Sequence, residues 1–277
     1  MLLGVHCSIG GGYLNAFIEA ERLGINTFQI FTKNQRQWRE KEVSEIEAST
    51  FRENLVKYQI AKAFSHTTYL INLASVNETI RENSIFSLAS EVKRCHSLGL
   101  AYTVLHPGSY IQSTLNEGID KITDALNAVF EITSNLEVKV LLENTAGQGS
   151  SIGGKFKHLS DIIKQVDSSR IGICFDTCHA FASGYDIRSK DGFEATMDEV
   201  DKYIGLHKLY VFHLNDSKGD LGSHLDRHEH IGRGKIGLEA FEQIINKFPD
   251  IPKVLETPKE NDMDKENLKI LKSLIHN

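Results

Sequence analysis

Six short apolar runs in this chain each end in a side chain that can bind a metal ion. Runs of this length are typical of buried parallel strands, and a closed parallel barrel carries its reactive groups where each strand passes into its loop. A single strand-end His or Asp usually caps a loop, but six at successive run ends are hard to explain in that way. These residues are His66, His106, Glu143, Asp176, His213 and Glu256.

Three further candidates lie in the loops beside these run ends. His179 comes three residues after Asp176, and Asp226 and His228 form an Asp-x-His pair after the His213 run. One zinc ion needs only three or four nitrogen, oxygen or sulfur donors. Nine candidates therefore predict two or three ions on one rim and a reaction that uses metal-activated water.

The sequence offers no other set of nucleophilic residues. Its Gly-x-Ser-x-Gly match at residues 149–153 does not directly follow a predicted strand, as a nucleophile turn does, and no arrangement of Cys and His would form a nucleophile. Its four cysteines have neither zinc-finger nor paired secretory spacing and are expected to be reduced and buried. They are Cys7, Cys95, Cys174 and Cys178.

A basic loop follows the second apolar run, at residues 32–39, with the sequence Thr-Lys-Asn-Gln-Arg-Gln-Trp-Arg. It is either a solvated loop anchored by its tryptophan, or a surface of cations and amides that contacts phosphates or stacked bases. Tyr69, three residues after His66, is expected on the same rim. The loop carries Trp38 and Arg39, and the candidates for contact with nucleic acid are Lys33, Gln35, Arg36 and Tyr69.

The formal net charge of −6 argues against a nucleic-acid partner, because such partners usually require a basic surface. Bound metal changes that balance. Three divalent ions would add six positive charges and cancel the net charge, and they would do so on the rim where the candidate ligands meet. A phosphate group could then be attracted to this rim of an acidic protein.

Eight apolar runs alternate with eight amphipathic stretches and provide the elements that position these side chains. This alternation predicts an α/β fold of the (β/α)8 TIM-barrel type. Strands are predicted at residues 2–6, 26–31, 60–66, 102–106, 138–143, 171–176, 209–214 and 253–257. Helices are predicted at residues 13–24, 46–59, 85–99, 119–132, 158–166, 197–205, 238–248 and 266–275.

Residues 1–277 are expected to form one TIM-barrel domain, because no stretch has the composition of a linker. No apolar stretch approaches the roughly 18 residues of a membrane span, and the first residues turn polar too early for a signal peptide. We therefore expect a cytoplasmic protein without a membrane partner. A monomer is expected because no long apolar surface stripe is left over.

Several motifs of the chain resemble one known family. FTKNQRQW, LHPGS, LENTAGQGS, FDTCHAFASGYD, HLND and DRH, in this order and spacing, resemble the endonuclease IV family of apurinic/apyrimidinic (AP) endonucleases. The resemblance extends from Gly4 to about Glu256. It implies a zinc-dependent TIM barrel for DNA repair that cuts double-stranded DNA 5′ to an abasic site, leaves a 3′-hydroxyl and a 5′-deoxyribose phosphate, and also clears 3′-blocking groups.

The resemblance also implies a role for each candidate residue. Three Zn²⁺ ions are expected, with Mn²⁺ an alternative at one site, and Glu143 and Glu256 are expected to act on the attacking water. Arg36 and Tyr69 correspond to residues that enter the DNA at the lesion, whereas Thr67 and Thr68 stand where the family has Asp and Ser. The implied ligand sets are His66, His106 and Glu143; Glu143, Asp176, His213 and Glu256; and His179, Asp226 and His228.

Two other classes of protein are compatible with parts of this pattern. A metal-dependent sugar isomerase or epimerase also lines strand ends with Glu, Asp and His, but one or two ions suffice there. It gives no role to the set of His179, Asp226 and His228 or to the basic loop. A zinc-regulated DNA-binding module would bind abasic duplex without cutting it.

Overall fold

Eight parallel strands close into a barrel in the computed structural model, which describes residues 1–38, 42–166 and 169–276. The last strand pairs in parallel with the first, which closes the ring and confirms the predicted (β/α)8 TIM barrel. Arg39 lies outside the described residues. The barrel strands are β1 (Leu3–His6), β2 (Thr27–Ile30), β3 (Lys62–His66), β4 (Tyr102–Leu105), β5 (Lys139–Glu143), β6 (Ile171–Asp176), β7 (Leu209–His213) and β10 (Lys253–Leu255).

Helices cover the outside of the barrel and pack their apolar faces on its strands. Two short strands, β8 (Asp216–Ser217) and β9 (His228–Glu229), form a separate antiparallel pair above the barrel. Among the described residues, no helix is long and apolar enough to cross a membrane. The α-helices are α1 (Leu14–Leu23), α2 (Glu45–Lys57), α3 (Glu78–Leu98), α4 (Leu115–Ile132), α5 (Phe156–Gln165), α6 (Thr177–Ala182), α7 (Lys190–Tyr203), α8 (Leu238–Lys247) and α9 (Met263–Ser273).

Three helices, α3, α4 and α7, begin four to seven residues before their predicted starts, each after a side chain that caps its first turn. α3 begins at Glu78 rather than at residue 85, because the Asn77 side chain accepts the Ile80 N–H and starts the helix before the apolar pattern begins. α7 likewise begins at Lys190, with Ser189 as its cap. The short helix α6 was not predicted.

Period-two alternation places the candidate ligands directly above the barrel core. The fully buried interior cluster consists of Phe64, Val104, Leu141, Cys174, Val211 and Val254. Each member lies two residues before one of the six run-ending candidates, and residues i and i+2 of a strand point to the same face. Because the apolar side chains point into the barrel, the candidate ligands two residues later point inward as well.

Candidate metal centre

Six candidate ligands meet at the carboxyl-terminal rim of the barrel, as the sequence predicts. His66, Glu143, Asp176 and His213 are the last residues of β3, β5, β6 and β7. The other two follow their strands directly, at the first position after β4 and after β10. These are His106 and Glu256.

The Glu143 carboxylate lies at the centre of the group and is fully buried. Its Oε1 is 3.0 Å from His213 Nδ1 and 3.2 Å from His179 Nδ1. Its Oε2 is 3.1 Å from His106 Nε2 and 3.2 Å from His66 Nε2. Burial raises the pKa of Glu143, but the surrounding histidines outweigh burial and hold the pKa well below its usual range. Glu143 is therefore an ionised carboxylate shared by four imidazoles.

Two elements outside the barrel bring the remaining candidates to this rim. Helix α6 begins on Asp176, whose Oδ1 accepts the His179 N–H at 2.8 Å, and this turn points His179 into the centre. Strand β9 holds His228 in extended backbone, so that Asp226 lies on the same side, as the Asp-x-His pattern requires. Asp226 Oδ1 is 3.2 Å from His179 Nε2 and 3.3 Å from His228 Nε2.

The nine side chains fall into three groups in which one potential donor atom from each residue lies within 4.8 Å of the others. The groups coincide with the ligand sets that the family resemblance implies. Asp176, Cys178 and His228 form a further group by the same distance between donor atoms. The groups are His66, His106 and Glu143; Glu143, Asp176, His213 and Glu256; and His179, Asp226 and His228.

Backbone carbonyls orient three of these histidines through the ring nitrogen Nδ1. A carbonyl oxygen only accepts hydrogen bonds, so each of these Nδ1 atoms carries a hydrogen, and the neutral ring keeps its lone pair on Nε2. The pairs are His66 with the Thr67 carbonyl at 2.7 Å, His179 with the Asn144 carbonyl at 2.9 Å and His228 with the Glu256 carbonyl at 3.2 Å.

Three buried amides support the centre, and none of them was among the predicted site residues. Asn144 and Asn215 hold Asp176, through its backbone and through its Oδ2 at 2.7 Å respectively. Gln29, on β2, contacts both His213 and Glu256. A sequence signal existed for each, because an amide inside or next to a buried apolar run requires hydrogen-bond partners.

The exposed side of the rim carries the candidates for DNA contact. Arg36 is exposed, and Tyr69 is 61% exposed with its ring centroid 5.4 Å from that of His66. Gln35 is half-buried, and its carbonyl accepts the Thr68 hydroxyl at 2.5 Å.

Lys33 and Trp38 give the basic loop its shape. The Lys33 ammonium donates to the Gln37 carbonyl at 2.9 Å and to the Trp38 carbonyl at 2.8 Å, so it closes the loop on itself. Trp38 packs on the hydrophobic core. The tryptophan is therefore the anchor that the sequence suggested, and it leaves the Arg36 side of the loop exposed.

Comparisons with known proteins agree with this geometry. A family model described as a xylose isomerase-like TIM barrel matches residues 17–274. The "Probable endonuclease 4" of Geobacter sp. (strain M21) is 46% identical over 279 residues, 99% of each chain. The protein of that name from Chloroflexus aurantiacus (strain ATCC 29366 / DSM 635 / J-10-fl) is 43% identical over 277 residues, 98% of this chain and 97% of the relative.

Solved structures match over nearly the whole chain. Endonuclease IV from Thermus thermophilus superposes with a TM-score of 0.89 at 33% identity, over 99% of this chain and 98% of that one. A D-tagatose 3-epimerase-like protein superposes with a TM-score of 0.79 at 21% identity, over 99% of this chain and 97% of that one. The second likeness extends to the fold alone, because one barrel fold serves many chemistries.

Proposed function

This chain belongs to the endonuclease IV family, and on that premise we propose that it is a zinc-dependent AP endonuclease of base excision repair. It hydrolyses the phosphodiester 5′ to an abasic site in double-stranded DNA and leaves a 3′-hydroxyl and a 5′-deoxyribose phosphate. The same centre clears 3′-blocking groups. The observation that carries the proposal is the set of three donor groups that overlap at Glu143, beside an exposed rim with Arg36 and Tyr69.

The donor set fits zinc ions on the chemistry of its atoms. Imidazole nitrogens and carboxylate oxygens are the ligands of catalytic zinc sites, and the same set accepts Mn²⁺, which is the alternative at one position. His228 Nε2 is buried and finds no partner with hydrogen-bond geometry in the described part of the chain, although Asp226 Oδ1 is 3.3 Å away. A cation between such atoms would satisfy both the lone pair and the carboxylate.

We assign the ions to the three groups of donors. His66, His106 and Glu143 would hold the first ion, and His179, Asp226 and His228 would hold the third. The second would lie among the remaining donors, with Glu143 shared between the first two. Those donors are Glu143, Asp176, His213 and Glu256.

Metal ions of this kind supply an activated water at neutral pH and clamp the attacking and leaving oxygens of the phosphodiester. The residues of the chain define where that happens. Glu143 lies at the centre of the donor groups and would be the carboxylate next to the attacking water. Glu256 Oε2 is 3.1 Å from His213 Nδ1 and its Oε1 is 2.6 Å from Gln29 Nε2, so its carboxylate is fixed where it can orient that water or accept its proton.

Recognition of the abasic site belongs to the exposed rim. An abasic nucleotide has no base to unstack, so it leaves the duplex at a lower cost than an intact nucleotide. The Tyr69 ring lies next to that of His66, and Arg36 is exposed on the loop to which Thr68 is hydrogen-bonded. Both side chains would fill the space that opens in the duplex. Gln35 and Lys33 would contact the DNA backbone nearby, in addition to the role of Lys33 in closing the loop.

We propose a cytoplasmic monomer in which residues 1–277 form one functional domain. In this arrangement no second copy is needed, because all three donor groups come from one chain. Three Zn²⁺ ions would offset the formal net charge of −6 at the rim that meets the phosphates. No membrane partner is required for a substrate that is DNA.

The decisive experiment uses an end-labelled duplex with one tetrahydrofuran abasic analogue, incubated with protein of measured zinc content. This analogue cannot undergo β-elimination, so a cut on its 5′ side with a 3′-hydroxyl demonstrates hydrolysis. A 3′-phosphate or 3′-phosphoglycolate duplex tests the clearing of blocked ends separately. An intact duplex with zinc-loaded protein would reject the nuclease. Retention of that duplex in a gel shift would then favour a DNA-binding module, and its absence would favour sugar epimerisation.

A further inference from the structure

Gln29 is a fully buried amide at the rim end of β2, and it belongs to none of the predicted ligand sets. Its side chain reaches three functional groups. Nε2 is 2.6 Å from Glu256 Oε1 and 2.9 Å from His6 Nδ1. Oε1 is 2.9 Å from His213 Nε2. One amide thus joins two residues of the central donor group.

The orientation of this amide follows from its neighbours. Gln29 Nε2 donates to Glu256 Oε1, and a carboxylate oxygen that binds metal accepts hydrogen bonds but does not donate them, so the amide NH2 must face it. The amide oxygen then faces His213 Nε2, which must carry a hydrogen in order to donate. In the neutral ring the lone pair of His213 is therefore on Nδ1, which lies 3.0 Å from Glu143 Oε1 and 3.1 Å from Glu256 Oε2.

His213 differs in this respect from the other oriented histidines of the centre. His66, His179 and His228 each bond to a backbone carbonyl and direct Nε2 to the donor groups. His213 directs Nδ1 to them, and the acceptor on its outer nitrogen is a side chain. A backbone carbonyl is present in every variant of a protein, whereas the Gln29 acceptor can be removed by one substitution.

We infer that Gln29 is a positioning residue of the metal centre: one amide holds the His213 ring in the tautomer that presents Nδ1 and holds the Glu256 carboxylate beside it. This inference rests on the proposed function, because it assumes that His213 and Glu256 are ligands. Its physical basis is that partners of the outer atoms of metal ligands fix their tautomer and direction, and that their loss costs on the order of 10- to 100-fold in metal affinity or activity.

Two substitutions separate the roles of the amide. Gln29→Met keeps the length and approximate volume of the side chain but removes both the acceptor for His213 and the donor to Glu256. Gln29→Glu keeps an acceptor for His213 and replaces the donor with a second carboxylate close to Glu256. Thr27→Val is the control, because Thr27 lies on the same strand and its buried hydroxyl has no hydrogen-bond partner among the described residues.

The readouts are the zinc content at a series of chelator concentrations, kcat and KM on the abasic duplex, and thermal unfolding. For Gln29→Met we expect one of the three zinc equivalents to be lost at roughly 10- to 100-fold lower chelator concentration than in the wild type, with the fold retained. For Gln29→Glu we expect a smaller loss of zinc than in Gln29→Met. The fall in kcat should be comparable in the two variants, at unchanged KM. Thr27→Val should match the wild type in every readout.

Nitrogen-15 spectra of the histidine rings give a readout that does not depend on activity. In the zinc-loaded wild type, His213, assigned with a His213→Gln variant, should show a protonated Nε2. Gln29→Met should alter this signal while leaving the His66 ring unchanged.

Two outcomes distinguish the inference from its premise. A wild-type protein that binds no stoichiometric zinc would reject the proposed metal centre itself. A wild type that holds its zinc, together with a folded Gln29→Met protein of equal zinc affinity and equal kcat, would overturn the role of Gln29 and leave the proposed function intact.

Discussion

The hydroxyl of Thr68 connects the two exposed elements of the rim. Its Oγ1 donates to the Gln35 carbonyl at 2.5 Å and accepts the Leu70 N–H at 3.3 Å. Gln35 directly precedes Arg36 in the basic loop, and Thr68 directly precedes Tyr69. A single buried hydroxyl therefore couples the positions of the two side chains proposed to enter the DNA.

Replacing Thr68 with Val removes this hydroxyl and keeps the branched shape of the side chain. A neutral hydrogen bond contributes a net 0.5 to 1.5 kcal/mol or so, so loss of the short bond and the longer one together amounts to about 1 to 2 kcal/mol. The loop must then be ordered when the DNA binds, and that cost appears in the affinity. We expect KM for the abasic duplex to rise roughly 5- to 30-fold.

Steady-state cleavage of the tetrahydrofuran duplex, with zinc measured on the same samples, tests this expectation. The kcat and the zinc content of Thr68→Val should stay at the wild-type level, because Thr68 contributes no donor to the three groups. Thr68→Ser keeps the hydroxyl and should restore KM. A Val variant with wild-type KM, or a Ser variant as impaired as Val, would refute the coupling. A fall in kcat with loss of zinc would instead place Thr68 in support of the metal centre.

Three further expectations follow from the site. Arg36→Ala should weaken binding of the abasic duplex roughly 10- to 100-fold, the range for hydrogen bonds of a charged group, with unchanged zinc content, and unaltered affinity and turnover would remove Arg36 from the site. Glu143→Gln should lower cleavage by about 10³-fold or more with the fold retained, because several kcal/mol of transition-state stabilisation depend on the shared carboxylate, and near-normal turnover would contradict its central role. In zinc-stripped protein, burial lowers the pKa of His228, but its pairing with Asp226 and Asp176 outweighs burial and raises the pKa to about 9. Because this folded pKa is above the unfolded one, the stability from that pairing should be complete below about pH 6.5 and lost as the pH rises through about 9. The free energy of unfolding in urea should fall over this window by at most about 3 kcal/mol. A free energy of unfolding that rises over the same window would be inconsistent with the pairing.

The barrel could be predicted from the sequence because its strands are buried on both faces. A run such as IGICFD is apolar at every position up to its terminal carboxylate, and all six of its residues are buried. Helix starts were less predictable. The first turns of α3 and α7 are polar, so they lack the apolar spacing that predicts a helix, and capping side chains at Asn77 and Ser189 begin them instead.

Which residues would meet at the rim was predictable for a geometric reason. In a parallel barrel all carboxyl ends lie on one face, so six residues far apart in the sequence converge without any knowledge of the loops. His179 was placed near them only by its distance from Asp176. The turn that directs its ring inward is the short helix α6, which is too short to produce an apolar pattern of its own.

Gln29 escaped prediction because an amide has no preferred role until its neighbours are known. A histidine or carboxylate at a strand end has few roles other than capping a loop, transferring a proton or binding a metal, whereas an amide both donates and accepts hydrogen bonds. The two candidate ligands that it contacts, His213 and Glu256, lie on β7 and directly after β10, neither of which neighbours β2 in the barrel order, so no local pattern connects them with Gln29. Burial still supplies a signal, because a buried amide in an apolar run must find partners. At the level of the candidate ligands, the nearest possible partners are the outer atoms of those residues. An inward-facing amide at that level is therefore where a positioning residue should be sought.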